Sequence, residues 1–372
     1  MLPGALFLRI GSCFPLAFLM GMTLSIVNSN AADLTVVTWG GSYAKSQQEA
    51  YGKPFEEKTG KTIDWVNYNG GLADIRAQVK SGDVIWDVVD VFPSDARKGC
   101  ADGLFEKLPE NMFSSSDADG NFEDDLIVPR PNECVSPNII WSWVTFYAKD
   151  RFKGEGPRTI ADFFDIDRFP GKRGLSVFAQ SNLEMALVAD GVAPGDVYDV
   201  LSTEEGLDRA IGKLESLGDQ IVFWSAGTEP LELVNSGQVA ISTGYNGRVS
   251  EAILFQGAEY EIIWDGQVLE EEWFALVKGS TNRQEALEFL KISATPQAQA
   301  EQARWIPYGP MRRSALKIIR ENEPWFHGGK TVLEHMPDRE EVMDRTIIAD
   351  PDWWTNNGAE ASERYKAWME SR

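Results

Sequence analysis

The sequence predicts an α/β protein built as two lobes. Three observations carry this reading. Strand and helix patterns alternate from Leu34 to Phe92, the alternation resumes after Phe152, and the first strands are apolar on both faces. Continuous apolar strands belong to parallel sheets covered on both sides by helices. The chain has 372 residues, enough for two domains of ordinary size. Its 43% hydrophobic and 25% charged content is that of a globular protein.

Taken in order, the first 32 residues stand apart. They hold Arg9, no acid, an apolar run from Phe14 to Val27, and then "NSNAAD". This reads as a signal peptide over residues 1–32, cleaved after Ala31 or Ala32. The alternative, a membrane anchor, is disfavoured by the shortness of the apolar run. "LTVVTW" is then a strand, and Ser42 to Lys58 a helix closed by Gly60. "TIDWVNY" is a strand, Gly71 to Lys80 a helix closed by Gly82, and "WDVVDVF" a third strand. Residues 114–125 form a polar loop. After "IIWSWVTFYAKDRF", "RGLSVFA" is a strand, and Ser202 to Glu205 cap a helix that stops at Gly218. "QIVFW" is a strand, Pro230 to Asn235 a helix, and "QVAISTGY" a strand running into Asn246-Gly247. "EYEIIW" and "EEEWFALVK" read as two further strands, and helices dominate from Asn282 onward.

The formal net charge is −22, one unit more negative once the leader's Arg9 is removed. Such a chain repels nucleic acid and anionic lipid and suits partners that are small cations. Cys100 and Cys134 remain after the leader. In an exported protein such a pair reads as a disulfide, closing a loop of roughly thirty residues and contributing about 3 kcal/mol. Enzyme signatures are poor. The only histidines are His327 and His335, and there is no H-E-x-x-H, G-x-S-x-G, Walker lysine loop or G-x-G-x-x-G. "DADGNFEDDLIV" fails as a calcium loop, since Phe122 and Val128 occupy the obligatory glycine and last-ligand positions. No cofactor, metal or catalytic residue is expected.

In parallel sheets the C-terminal ends of strands deliver the binding residues. That rule points to Trp39, Phe92, Tyr245 and the surroundings of Glu272. Trp39-Gly40-Gly41 lacks the lysine and the further glycines of a phosphate cradle, although a helix N-terminus follows it. Along "EEEWFALVK", alternation sends Glu270 and Glu272 to one side and Trp273 to the other. Trp86, Trp141, Trp143 and Trp264 are assigned to the core, and Trp353-Trp354 to docking of the tail.

At this point the chain resembles the periplasmic solute-binding proteins of ABC importers, in particular the spermidine/putrescine-binding group. The markers are "WGGSY", "WDVVDVFPSDARKGCADGLFEKL", "GYNG", "EEEWFALVKGSTNRQEALEFL", "IPYGP" and "WWTNNGAEASERYKAWMESR". The resemblance covers essentially the whole chain after the leader. It implies a type II periplasmic binding fold, two α/β lobes with a ligand cleft at the hinge. The lobes would be residues 33–145 plus 274–311 and residues 146–273 plus 312–372. It implies capture of putrescine, spermidine or a related amine by closure, without catalysis. The implied partners are an ABC permease and its ATPase, and the implied state is a periplasmic monomer. Carried over by position, Trp39, Tyr43 and Tyr245 become aromatic walls and Glu272 an amine-binding carboxylate. Ser42, Phe92, Glu270 and Tyr308 complete the candidate set.

The departures sharpen the reading. Where polyamine binders place acids near the first helix of the second lobe, this chain has Ser181 and Asn182. The residue after "GYNG", an acid in some members, is Arg248. On this account Glu272 alone survives of the acidic set. A solute with an ammonium at one end and a carboxylate at the other would meet both Glu272 and Arg248, since guanidinium binds carboxylate through two parallel bonds. γ-Aminobutyrate is such a solute and is the alternative to a polyamine. Arg248 turned away toward Glu251 is the competing placement. A secreted enzyme on this scaffold, or an iron carrier using Tyr43, Tyr245 and Tyr308, are further alternatives, but no nucleophile–base pair or paired tyrosine element supports them.

Overall fold

The computed structural model describes residues 32–113 and 121–372. The expected leader, apart from Ala32, and most of the polar loop at 114–125 lie outside the described residues. Within them, ten strands form one hydrogen-bonded sheet. They are β1 (Leu34–Thr38), β2 (Ile63–Asn67), β3 (Val88–Val91), β4 (Val135–Ala148) and β5 (Arg173–Ser176), followed by β6 (Ile221–Trp224), β7 (Ile241–Tyr245), β8 (Tyr260–Leu276), β9 (Gly309–Pro310) and β10 (Ile347–Ile348). The main order is β2-β1-β3-β8-β4-β7-β5-β6, with β9 beside β4 and β10 beside β8.

At one end β1, β2 and β3 are parallel, and at the other β5, β6 and β7 are parallel. Between them run the long antiparallel partners β4 and β8, paired from Val135↔Ala275 to Ala148↔Tyr260. The expected pair "EYEIIW" and "EEEWFALVK" is therefore a single strand of 17 residues. Pairing to β4 continues on both sides of Asp265-Gly266-Gln267. The surplus residues leave as an irregularity opposite Trp143 and Thr145, where Gly266 takes φ 75°.

Local signals explain most helix ends. The helix after β1 runs Gly41–Gln47 and Lys53–Thr59 around a π-helical segment, Gln48–Gly52, and stops at left-handed Gly60. Glu204–Glu215 is capped one residue later than the sequence pattern indicates. Thr203 Oγ1 accepts from Gly206 N–H, and Ser202 Oγ instead donates to Tyr198 O. The Cys100–Cys134 disulfide forms, tying the helix Pro93–Ala101 to the start of β4.

Leu34, Val36, Phe55, Phe274 and Phe289 are fully buried beside β1. Each such side chain contributes about 1.5–3 kcal/mol by leaving water. The C-terminal helix Pro351–Glu370 docks as expected, Trp353 Nε1 donating to Ser202 Oγ at 2.9 Å. Trp141 and Trp143 are buried as assigned and Trp86 is half-buried against the core, whereas Trp264 is half-buried outside it and lies under the Arg339 guanidinium.

Candidate solute cleft

The site is built where β1, β3, β7 and the middle of β4 and β8 meet. β1 ends in Trp39, and Gly40 and Gly41 take φ 71° and 62°. The glycines serve a close approach. A Cβ on Gly41 would stand 2.5 Å from Arg248 Nη1, and one on Gly227 2.9 Å from Arg248 Nε.

Arg248 leaves the helix Asn246–Glu251 that follows β7 and is 9% exposed. Its Nη2 lies 3.4 Å from the Trp39 and Gly40 carbonyl oxygens. It does not pair with Glu251, which accepts from Gln256 Nε2. Among the described residues no carboxylate lies within salt-bridge distance of Arg248, and its buried guanidinium meets the two carbonyls and the Tyr308 hydroxyl.

The opposite wall is acidic. Trp39 Nε1 donates to Glu272 Oε2 at 3.1 Å. Behind it, Asp90 of β3 is fully buried and accepts from Tyr43 Oη (2.7 Å), Gln47 Nε2 (2.8 Å) and Asn138 Nδ2 (3.0 Å). Asp90 Oδ1 is buried with no hydrogen-bond partner. Glu270, on the same side of β8 as Glu272, accepts from Trp143 Nε1 at 2.7 Å and from Gln180 Nε2 at 2.8 Å. Burial pushes Asp90 up to about 6 and Glu270 to about 8. Burial, with the Asp90 charge adding to it, drives Glu272 well above the usual carboxylate range. Two buried acids side by side at low dielectric hold each other back from ionising together, which raises both.

Aromatic faces close the remaining sides. Trp39 packs on Tyr68 and Phe92, with ring centroids 4.8 and 4.7 Å apart. Tyr245 meets Trp143 at 4.6 Å and Trp141 at 5.3 Å. Tyr43 meets Tyr308 edge-on at 5.5 Å. Tyr308 and Tyr245 stand between the charges. Burial raises both hydroxyls, Arg248 opposes that rise, and Glu272 adds to it. Ser42, half-buried in the first helical turn, makes no side-chain hydrogen bond among the described residues.

The sequence-predicted residues thus converge, but the set is incomplete. Asp90 and Gln180 also stand among them and were not singled out in the sequence, while Trp141 and Trp143 are buried core, as assigned, on which Tyr245 packs. Asp90 was visible as one of two acids, with Asp87, in the strand "WDVVDVF". The acidic set is also larger than Glu272 alone. It includes Asp90, Glu270 and Glu184, the last fully buried and accepting from Tyr198 Oη and Trp354 Nε1. Asn182 is structural, its Nδ2 donating to Ser176 O, Phe178 O and Tyr365 Oη.

Residues 50–327 match the family described as bacterial extracellular solute-binding protein. The chain belongs to that family. It is a solute-binding component of an ABC importer, a class that passes its solute to permease and ATPase subunits rather than transforming it. A γ-aminobutyric acid-binding protein of Pseudomonas aeruginosa strain PAO1 is 35% identical over 358 residues, covering 96% of this chain and 95% of that protein. Among solved structures, the binding protein MotA of A. tumefaciens B6 in complex with glucopine is 27% identical with a TM-score of 0.79. That match covers 90% of this chain and 99% of that one. A GABA receptor structure is 26% identical with a TM-score of 0.76, covering 90% of this chain and 97% of that one. The fold is that of the type II periplasmic binding proteins, as the family resemblance implied. No helix among the described residues is long and apolar enough to cross a membrane.

Proposed function

We propose that this family member captures a small ω-amino acid such as γ-aminobutyrate. Glu272, backed by Asp90, takes the ammonium, Arg248 takes the carboxylate, and Trp39 and Tyr245 flank the chain between them. The observation that carries this reading is Arg248, buried in the cleft without a carboxylate and facing an acidic wall. An unpaired buried charge costs several kcal/mol, and a ligand carboxylate removes that cost. The γ-aminobutyric acid-binding relative supports the reading. Putrescine or spermidine is the second reading, favoured by the number of buried acids, but it leaves Arg248 against a cation.

Capture would follow from closure of two lobes, residues 33–145 plus 274–311 and residues 146–273 plus 312–372, about β4 and β8. The solute contacts both lobes only when they are closed, so binding favours that state. In this reading residues 1–32 direct export, and the periplasmic monomer meets its permease closed.

Calorimetric titration tests the assignment. γ-Aminobutyrate should bind at micromolar levels and more tightly than putrescine or spermidine. Arg248→Ala should weaken it by about 2–4 kcal/mol, roughly thirty- to a thousandfold. An unchanged affinity in Arg248→Ala, or putrescine as the tighter ligand in the wild type, would sink the zwitterion assignment.

A further inference from the structure

Two residues before Glu272, on the same face of β8, stands Glu270. Glu270 is 2% exposed, and both of its oxygens are met by uncharged donors, Trp143 Nε1 and Gln180 Nε2. No cation lies within salt-bridge distance of it among the described residues. It opens onto a narrow crevice walled by Phe92, Ser94, Gln180, Pro351 and Trp354. Trp354, on the far wall, holds Glu184 Oε1 through its indole N–H, and Glu184 Oε2 is buried with no partner.

The charges lie in sequence along this path. Arg248 sits at the Trp39 and Gly40 carbonyls, Glu272 accepts from the Trp39 indole, Glu270 follows on the same face of β8 beside Trp143 and Gln180, and Glu184 lies beyond it on Trp354. The order is therefore one cation, a first acidic pair, and a second acidic pair. Glu272 and Glu270 are two residues apart on one strand face, which spaces them by about 7 Å. Two nitrogens joined by a four-carbon chain span a similar distance.

We infer that Glu270 forms a second cation subsite, and that the preferred solute is an ω-amino acid whose nitrogen carries a short chain ending in a second amine. This rests on the zwitterion reading and extends it. The carboxylate lies on Arg248, the inner nitrogen on Glu272 and Asp90, and the terminal ammonium enters the crevice at Glu270. Gln180 positions the Glu270 carboxylate, and Trp143 orients its second oxygen.

The test compares γ-aminobutyrate with N-(4-aminobutyl)-3-aminopropanoate by calorimetry on the wild type and on Glu270→Gln. The extended compound should bind the wild type at least about tenfold more tightly, as one added charge-assisted contact requires. Glu270→Gln should bring that ratio to about two or less, a change that loss of packing alone would not produce. If γ-aminobutyrate binds the wild type and the extended compound binds no more tightly, the second subsite is overturned while the zwitterion reading stands. Equal weakening of both ligands by Glu270→Gln overturns it as well. If neither compound binds the wild type, the zwitterion reading falls and takes this one with it. Should Glu270→Gln fail to fold, the wild-type ratio alone decides.

Discussion

Three carboxyl groups in the cleft, Asp90, Glu270 and Glu272, are held above their ordinary range chiefly by burial. The sign of the consequence follows from proton linkage. A native Glu270 keeps a proton up to about pH 8 that the unfolded chain loses above about 4.5. The ligand-free protein should therefore lose stability as pH rises between those values, a trend visible in melting temperature. An ammonium ligand favours the ionised carboxylates. Its affinity should rise from about pH 6 to pH 8, and binding should release protons, seen by titration in buffers of differing ionisation enthalpy. A pH-independent affinity would remove these acids from the ammonium site. Gly41 gives a second test at this scale. Gly41→Ala places a methyl group where Arg248 Nη1 now lies and demands φ 62° of an L-residue. γ-Aminobutyrate affinity should fall by roughly tenfold or more, with circular dichroism unchanged. Binding at wild-type strength would show that the guanidinium need not occupy that space.

At the scale of elements, most of the fold was legible in the sequence. Gly60 and Gly82 end their helices in the left-handed conformation, as their positions after apolar-periodic runs indicate. The legible part stops where an element depends on its neighbour. β8 reads as two strands because Gly266 interrupts the pattern, yet it is one strand because β4 pairs with it throughout. The disulfide is an element-level prediction of another kind. It joins residues 34 apart, Cys100 at the end of a helix and Cys134 at the start of β4. Replacing both cysteines by serine should lower stability by about 3 kcal/mol in denaturant titration. γ-Aminobutyrate binding should persist at a temperature where the variant is folded, because neither cysteine touches the cleft.

For the whole molecule, the single sheet with β4 and β8 crossing its middle explains how distant parts of the chain meet. Trp39 and Glu272 are 233 positions apart and hydrogen-bonded, and Arg248 reaches the Trp39 carbonyl from 209 positions away. If β4 and β8 act as the hinge of two lobes, these contacts exist only in the closed state. Small-angle scattering should then show a smaller radius of gyration with γ-aminobutyrate than without it, and no such change with Arg248→Ala at a concentration that saturates only the wild type. Identical scattering with and without a bound ligand would remove closure from the mechanism.

The sequence by itself determined the α/β class, the disulfide pair, the absence of the sought catalytic motifs, and the residue types able to hold an amine. These follow from local periodicity and side-chain chemistry, which need no knowledge of neighbours. Only the tertiary structure decided that Arg248 reaches the Trp39 and Gly40 carbonyls and does not pair with Glu251, that Asp90 stands behind Glu272, and that Glu270 lines a further crevice. Each of these depends on which groups lose water together. Burial and pairing of charge are properties of packed surfaces brought together over hundreds of residues, and no local pattern encodes them.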